Sequence, residues 1–208
     1  MLMHRRIVAL TLALLVTACG GGEPAPQLLN SERIEQVFGS YYVSVLVADA
    51  GLRVSSLYST DDGVQTTRTL AVVEWPRNID PRLADVHTAI LGGASIGATF
   101  ESAGWTVVKR NLYFGEIPST EAVSRLMRIP AESALAIHGY ALSVARGHDV
   151  IGYATIAELH HPAYLDRARL EAIYGDIQPA DVTSGRAVLP LVESALVRLA
   201  GLSSERAE

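Results

Sequence analysis

An α+β fold with a largely antiparallel sheet is what this 208-residue chain predicts, on three observations. Runs rich in β-branched and aromatic residues follow one another with only short turns between them, the pattern of a meander. Helical segments with capping residues interrupt those runs without the regular alternation that a parallel sheet needs. Hydrophobic residues make up 49% of the chain, which supports a packed globule rather than a disordered stalk.

Residues 31–38, SERIEQVF, read as a short helix with Asn30 or Ser31 as its N-cap. Three strands follow, YYVSVLVADA, LRVSSLYS and VQTTRTLAVVEW, with turns at Ala50-Gly51 and at Asp61-Asp62-Gly63. In IDPRLADVHTAILGG, Asp80 caps, Pro81 suits the first turn, and Leu83, Val86 and Ile90 line one face until Gly92 and Gly93 end it. A second helix runs from a Ser95 cap to Gly104, and WTVVKRNLYFGEI returns to strand. STEAVSRLMRI is a short helix behind Pro118, and ALAIHGYALSVARG and HDVIGYATIAEL form a hairpin turning at 146–148. PAYLDRARLEAIYG is expected as a helix opened by Pro162 and closed by Gly175. Leu189, Val192, Leu196 and Leu199 form the apolar stripe of a last amphipathic helix.

The amino terminus follows a different logic. MLMHRR is a basic start, and Ile7 to Val16 is an apolar run too short to span a bilayer, which is signal-peptide anatomy. Val16, Thr17 and Ala18 then precede Cys19, the only cysteine, and this stretch resembles the lipobox of bacterial lipoproteins. The resemblance implies cleavage before Cys19, a diacylglycerol thioether on its sulfur, and a fatty acyl group such as palmitate on the new amino terminus. Each buried methylene contributes about 0.8 kcal/mol, so several chains together anchor the protein to membrane lipid. Gly20, in place of an Asp, implies sorting to the outer membrane, with the protein facing the periplasm. The expected organisation is a signal peptide over 1–18, lipidated Cys19 and a Gly/Pro-rich tether over 19–29, and one α+β domain over 30–208.

Charge and cysteine count narrow the function. With 17 basic against 22 acidic residues the net charge is -5, and removing Arg5 and Arg6 makes the balance more negative, which argues against nucleic acid as a partner. With no cysteine after Cys19, the domain has no disulfide, zinc thiolate or cysteine nucleophile.

Three groups of residues offer chemistry. Gly93-Ala94-Ser95-Ile96-Gly97 fits the G-x-S-x-G pattern of a hydrolase nucleophile, with Asp149 and His160 downstream in triad order. That chemistry needs a strand before Ser95, where the pattern here is helical, so a helix-to-helix corner competes with it. Strand alternation places Glu158 and His160 on one face, with His138 able to face them from the neighbouring strand, a set able to bind a metal or run acid–base chemistry. No HExxH or other metal-ligand spacing accompanies them, and no cofactor is implied. Strand tyrosines, Tyr140 among them, are able to line a cleft, and Lys109, Arg110 and Arg68 offer positive groups to an acidic ligand.

From Ser95 to Leu165 the order is helix, an AGW corner, a strand, a short helix ending LMRIP, and a hairpin closing on YATIAELHHPAYL. This layout resembles the chorismate lyase and UTRA ligand-sensing domains, and it implies a small-ligand cleft in the second half of the chain. Where those domains commonly carry an Arg on the first hairpin strand, this chain has Ile137, His138 and Gly139, so the resemblance does not extend to lyase activity. The expectation is a membrane-anchored envelope lipoprotein that binds a partner protein or small ligand without catalysis, through His138, Tyr140, Glu158 and His160. The alternative is an enzyme, a hydrolase through Ser95 or an acid–base catalyst through Glu158 and His160.

Overall fold

Val, Thr, Tyr and Leu alternate along six segments, and each forms a strand. They are β1 (Tyr42–Asp49), β2 (Leu52–Asp61), β3 (Val64–Glu74), β4 (Thr106–Pro118), β5 (Ala134–Arg146) and β6 (Asp149–His160). The computed structural model describes residues 28–49 and 51–205, with side chains as far as residue 202. The leader, Cys19 and most of the tether lie outside the described residues. The strands make one sheet in the order β1-β2-β3-β6-β5-β4, antiparallel at every pairing. Each half of the chain contributes a three-stranded meander, and the halves join where β3 pairs with β6, from Thr69 opposite His160 to Glu74 opposite Thr155. The α+β class read from the sequence is the observed one.

One face of the sheet is apolar. Val54, Leu70, Val72, Ile137 and Leu159 project from it and are fully buried under α4 (Glu121–Met127) and α7 (Val188–Glu205). Each such side chain contributes about 1.5–3 kcal/mol by leaving water. Thr120 caps α4 by accepting the Val123 N–H through its hydroxyl at 3.4 Å. On α7 the contact face centres on Val188, Val192, Ala195 and Leu199, while Leu189 and Leu196 of the expected stripe lie at its margin, partly buried. Val188, Val192, Ala195 and Leu199 recur at three- and four-residue spacing, so they share one side of the helix and the small Ala195 meets the sheet.

The other face is roofed by α1 (Asn30–Phe38), α2 (Ala84–Leu91), α3 (Ile96–Ser102) and α5 (Arg167–Tyr174). Two boundaries differ from expectation. Neither Asn30 nor Ser31 is the cap of α1: Leu29 holds that position, its N–H bonded to the Glu32 carboxylate at 2.7 Å, which frees the Asn30 side chain to turn inward. Pro162 does not open α5: the helix begins five residues later, where Asp166 accepts the Arg169 N–H at 2.8 Å. Pro162 instead sits in a turn in which the His161 ring accepts the Ala163 N–H at 3.0 Å. Between α2 and α3 the chain turns through Gly93 at φ 105°, a conformation that a side chain would strain. Among the described residues no helix is long and apolar enough to cross a membrane.

Candidate functional site

Glu158, in the middle of the sheet, points to the roofed face. Antiparallel register sets it between Ala71 of β3 and His138 of β5. Two residues on, His160 lies between Thr69 and Ala136, and in the other direction Ile156 lies opposite Tyr140. The four binding candidates read from the sequence therefore occupy adjoining positions on β5 and β6. All four are buried, and Glu158 is only 4% exposed.

Above this patch lies a cavity of about 60 Å³. Its polar wall includes Asn30, Tyr41, Arg53, Ser95, Lys109 and Glu158, and Val73, Leu142 and Ile156 are among its apolar lining. Ala71 leaves room beside Glu158, and the starts of α1 and α3 form the roof. The two roof helices meet at Gly97, where any Cβ would stand 2.7 Å from the Leu29 side chain.

The hydrogen bonds around the cavity run in a chain. Tyr164 donates to Asn30 Oδ1 at 2.9 Å, Asn30 Nδ2 donates to Thr69 Oγ1 at 3.2 Å, and Thr69 Oγ1 is 3.0 Å from His160 Nδ1. With two lone pairs the Thr69 oxygen accepts from Asn30 and still pairs with His160 Nδ1 in either direction, so this bond fixes the ring's position and turns the other ring nitrogen, Nε2, away from Thr69. That Nε2 lies 3.9 Å from Glu158 Oε2, too far for a hydrogen bond. Both atoms are buried without a partner among the described residues. Glu158 Oε1 is satisfied, accepting the Tyr140 hydroxyl at 3.1 Å.

At His138 the partner decides where the proton sits. Asn111 uses its amide hydrogens on the Tyr174 carbonyl at 2.8 Å, so its Oδ1 accepts from His138 Nε2 at 2.9 Å. His138 Nδ1 is left as a buried acceptor without a partner. The ring is fixed between Phe114 and Tyr174, with centroids at 5.0 and 4.2 Å.

Burial dominates the protonation of this region. It holds His160 neutral, lowered to about 4 although Glu158 pulls the other way, and it drives His138 well below the ordinary histidine range, helped by the positive charge of Lys109. Desolvation, and then the Glu158 charge, raise the Tyr140 hydroxyl well above its usual value. Lys109 is lowered by desolvation, with Glu158 opposing. Its ammonium stands over two ring faces, 4.7 Å from the Tyr140 centroid and 5.5 Å from that of Tyr174.

The catalytic alternatives find little geometry. Ser95 sits at the N-cap of α3, after a helix and not a strand. Its hydroxyl accepts from Tyr41 at 3.4 Å, and among the described residues no histidine bonds to it. Asp149 pairs with Arg82 at 3.1 Å on the surface, and His160 is committed to Thr69. Among the described residues no group of three or more His, Cys, Asp or Glu side chains is placed to hold a metal ion. Of the positive groups read from sequence only Lys109 lines the cavity: Arg68 pairs with Asp61 and Arg110 with Asp181. Arg53, Asn30 and Thr69 gave no signal, since polar residues in an amphipathic strand or at a helix start look solvated.

No known protein family matches the chain by sequence, and no curated protein does either. Among solved structures it is similar to PhnF from Mycobacterium smegmatis, at 16% identity over 69% of this chain and 68% of that one, with a TM-score of 0.43. It is also similar to a PhnF C-terminal domain, at 12% identity over 65% and 77% with a TM-score of 0.40. A third is the ligand-binding domain of a Bordetella bronchiseptica protein assigned to the GntR family of transcriptional regulators. There the identity is 12% over 62% and 89%, and the TM-score is 0.38.

Proposed function

We propose that this protein is a small-ligand-binding module without catalytic activity, tethered to the envelope membrane through acylated Cys19. One observation carries the binding reading: a cavity lined by Glu158, whose second carboxylate oxygen is buried without a partner among the described residues. Leaving such atoms unsatisfied costs about 1–3 kcal/mol each, more when charged. A bound molecule that supplies the missing partner recovers that free energy. The buried, neutral His160 and His138 rings, and a Ser95 hydroxyl that no histidine among the described residues bonds, support binding over turnover. The anchor rests on the residues around Cys19 alone.

Thermal shift of the purified protein against a mixed library of small metabolites tests the binding reading. Hits are expected with the natural chain and are lost in Ala71→Phe, which fills the space beside Glu158; hits unaffected by that substitution would place binding elsewhere and defeat the reading. For the anchor, Cys19→Ala is expected to abolish processing and membrane association, and an unchanged membrane fraction would overturn it.

A further inference from the structure

Resting on the small-ligand reading, we infer that the cavity takes a small organic anion that also carries a hydrogen-bond donor, of the hydroxy-acid or amino-acid class. The first ground is charge. In a chain of net charge -5 the cavity wall has the opposite balance, with Arg53 and Lys109 against the single carboxylate of Glu158. Neither cation forms an ion pair with a carboxylate among the described residues. Arg53 spends its donors on neutral oxygens: Ser55 Oγ at 2.8 Å, the Ile90 carbonyl, and the Ala94 carbonyl at 3.3 Å. Lys109 rests over tyrosine rings, which attract a cation without neutralising it. Arg53 is buried with no carboxylate paired to it among the described residues, half-buried Lys109 has only the more distant Glu158 to offset its charge, and an anion entering the cavity adds the missing counter-charge.

Glu158 provides the second ground, because a plain anion would meet its carboxylate with repulsion. Its Oε2 has no donor among the described residues, so the ligand must bring one, a hydroxyl or an ammonium, to the same place. Arg53 on β2 and Lys109 on β4 start four strand spacings apart, about 19 Å between their backbones, and Glu158 on β6 lies between them. A molecule with its acid group towards a cation and its donor towards Glu158 matches that order of charges.

Size is the third ground. One water takes about 10–15 Å³ of such a cavity, so about 60 Å³ has room for only a handful of non-hydrogen atoms. Val73, Leu142 and Ile156 suit a short carbon chain. Nucleotides, sugar phosphates and long acyl chains do not fit this volume.

Titration calorimetry on the purified full chain, with chain-matched probes, tests the inference. Lactate, 3-hydroxybutyrate, serine and threonine are compared with propionate and butyrate, which lack the donor, and with 1-amino-2-propanol and 2-butanol, which lack the acid. At least one hydroxy or amino acid is expected to bind tenfold or more tightly than its matched plain acid, amine and alcohol. Lys109→Met is expected to abolish that binding, Lys109→Arg to retain it, and Glu158→Gln to narrow the gap between the hydroxy acid and the plain acid. The inference is overturned if the tightest probe is the amine or the alcohol, if propionate or butyrate equals its hydroxylated partner, or if no acid binds. Failure here, alongside library hits that Ala71→Phe removes, leaves the small-ligand reading standing with a different ligand class. Failure of both refutes the cavity as a binding site.

Discussion

The two faces of the sheet are made from the same strands and solve opposite problems. Under α4 and α7, Leu70, Val72, Ile137 and Leu159 interdigitate with apolar helix residues. Under α1, α3 and α5 the same strands present Thr69, Glu158, His138 and His160, equally buried, whose partners are other polar side chains or none. Alternation along each strand keeps these two sets on opposite sides. The roofed face also has apolar clusters, around Val73, Tyr153 and Ile156 and around Ile34, Leu57 and Leu170, but it is the side on which buried Glu158 and His160 atoms lack partners among the described residues.

Substitution on the apolar face should cost most. Leu159→Ala, at a fully buried position, is expected to lose about 2–5 kcal/mol in a denaturant titration; a loss under about 1 kcal/mol would show that this face is not the main source of stability. Acid acts next, on the polar face. His160 is held near 4 in the fold against about 6.5 in an unfolded chain. Above 6.5 both states carry it neutral, and below that only the unfolded chain binds the proton. Stability therefore falls between pH 6.5 and 4, by about 3 kcal/mol from this residue, and His138 acts in the same direction. The pH dependence of the midpoint should be visibly flatter in His160→Gln.

Smaller effects sharpen the contrast. Asp166→Ala removes the cap of α5 and is expected to lose about 1 kcal/mol, with faster amide exchange confined to that helix. Glu158→Gln should change stability least, within about 1 kcal/mol and in the stabilising direction, because the amide oxygen still accepts from Tyr140 while a buried charge is removed. If it instead destabilised as strongly as Leu159→Ala, the contrast between the faces would be wrong.

Much of this was legible in the residues. The six strands, the Ser95 corner and the shared face of Glu158 and His160 follow from turn chemistry and period-two alternation. What alternation could not give is the roof. In LRVSSLYS, Arg53 falls on the side opposite Leu52 and Val54, and a polar residue there reads as solvent-facing. Here that side is covered too, so Arg53 is 3% exposed and becomes part of the cavity. Asn30 was obscured for the same reason, whereas Lys109 was read as a cation for an acidic ligand and does line the cavity; Pro162 drew the start of α5 too early because the competing cap, Asp166, lies further along. Their grouping depends on the pairing of β3 with β6, whose partners lie about ninety positions apart in sequence, beyond the reach of any local pattern.

That junction also sets the order of assembly. Each three-stranded ribbon closes through neighbouring segments and has little distance to search, whereas zipping Thr69–Glu74 onto Thr155–His160 must wait for both ribbons, as pairings between remote segments form slowly. Glu158 and His160 belong to one ribbon, Ala71 and Arg53 to the other, so the cavity comes into being only with the final zip, and a molecule bound there as proposed would act as a clasp across it.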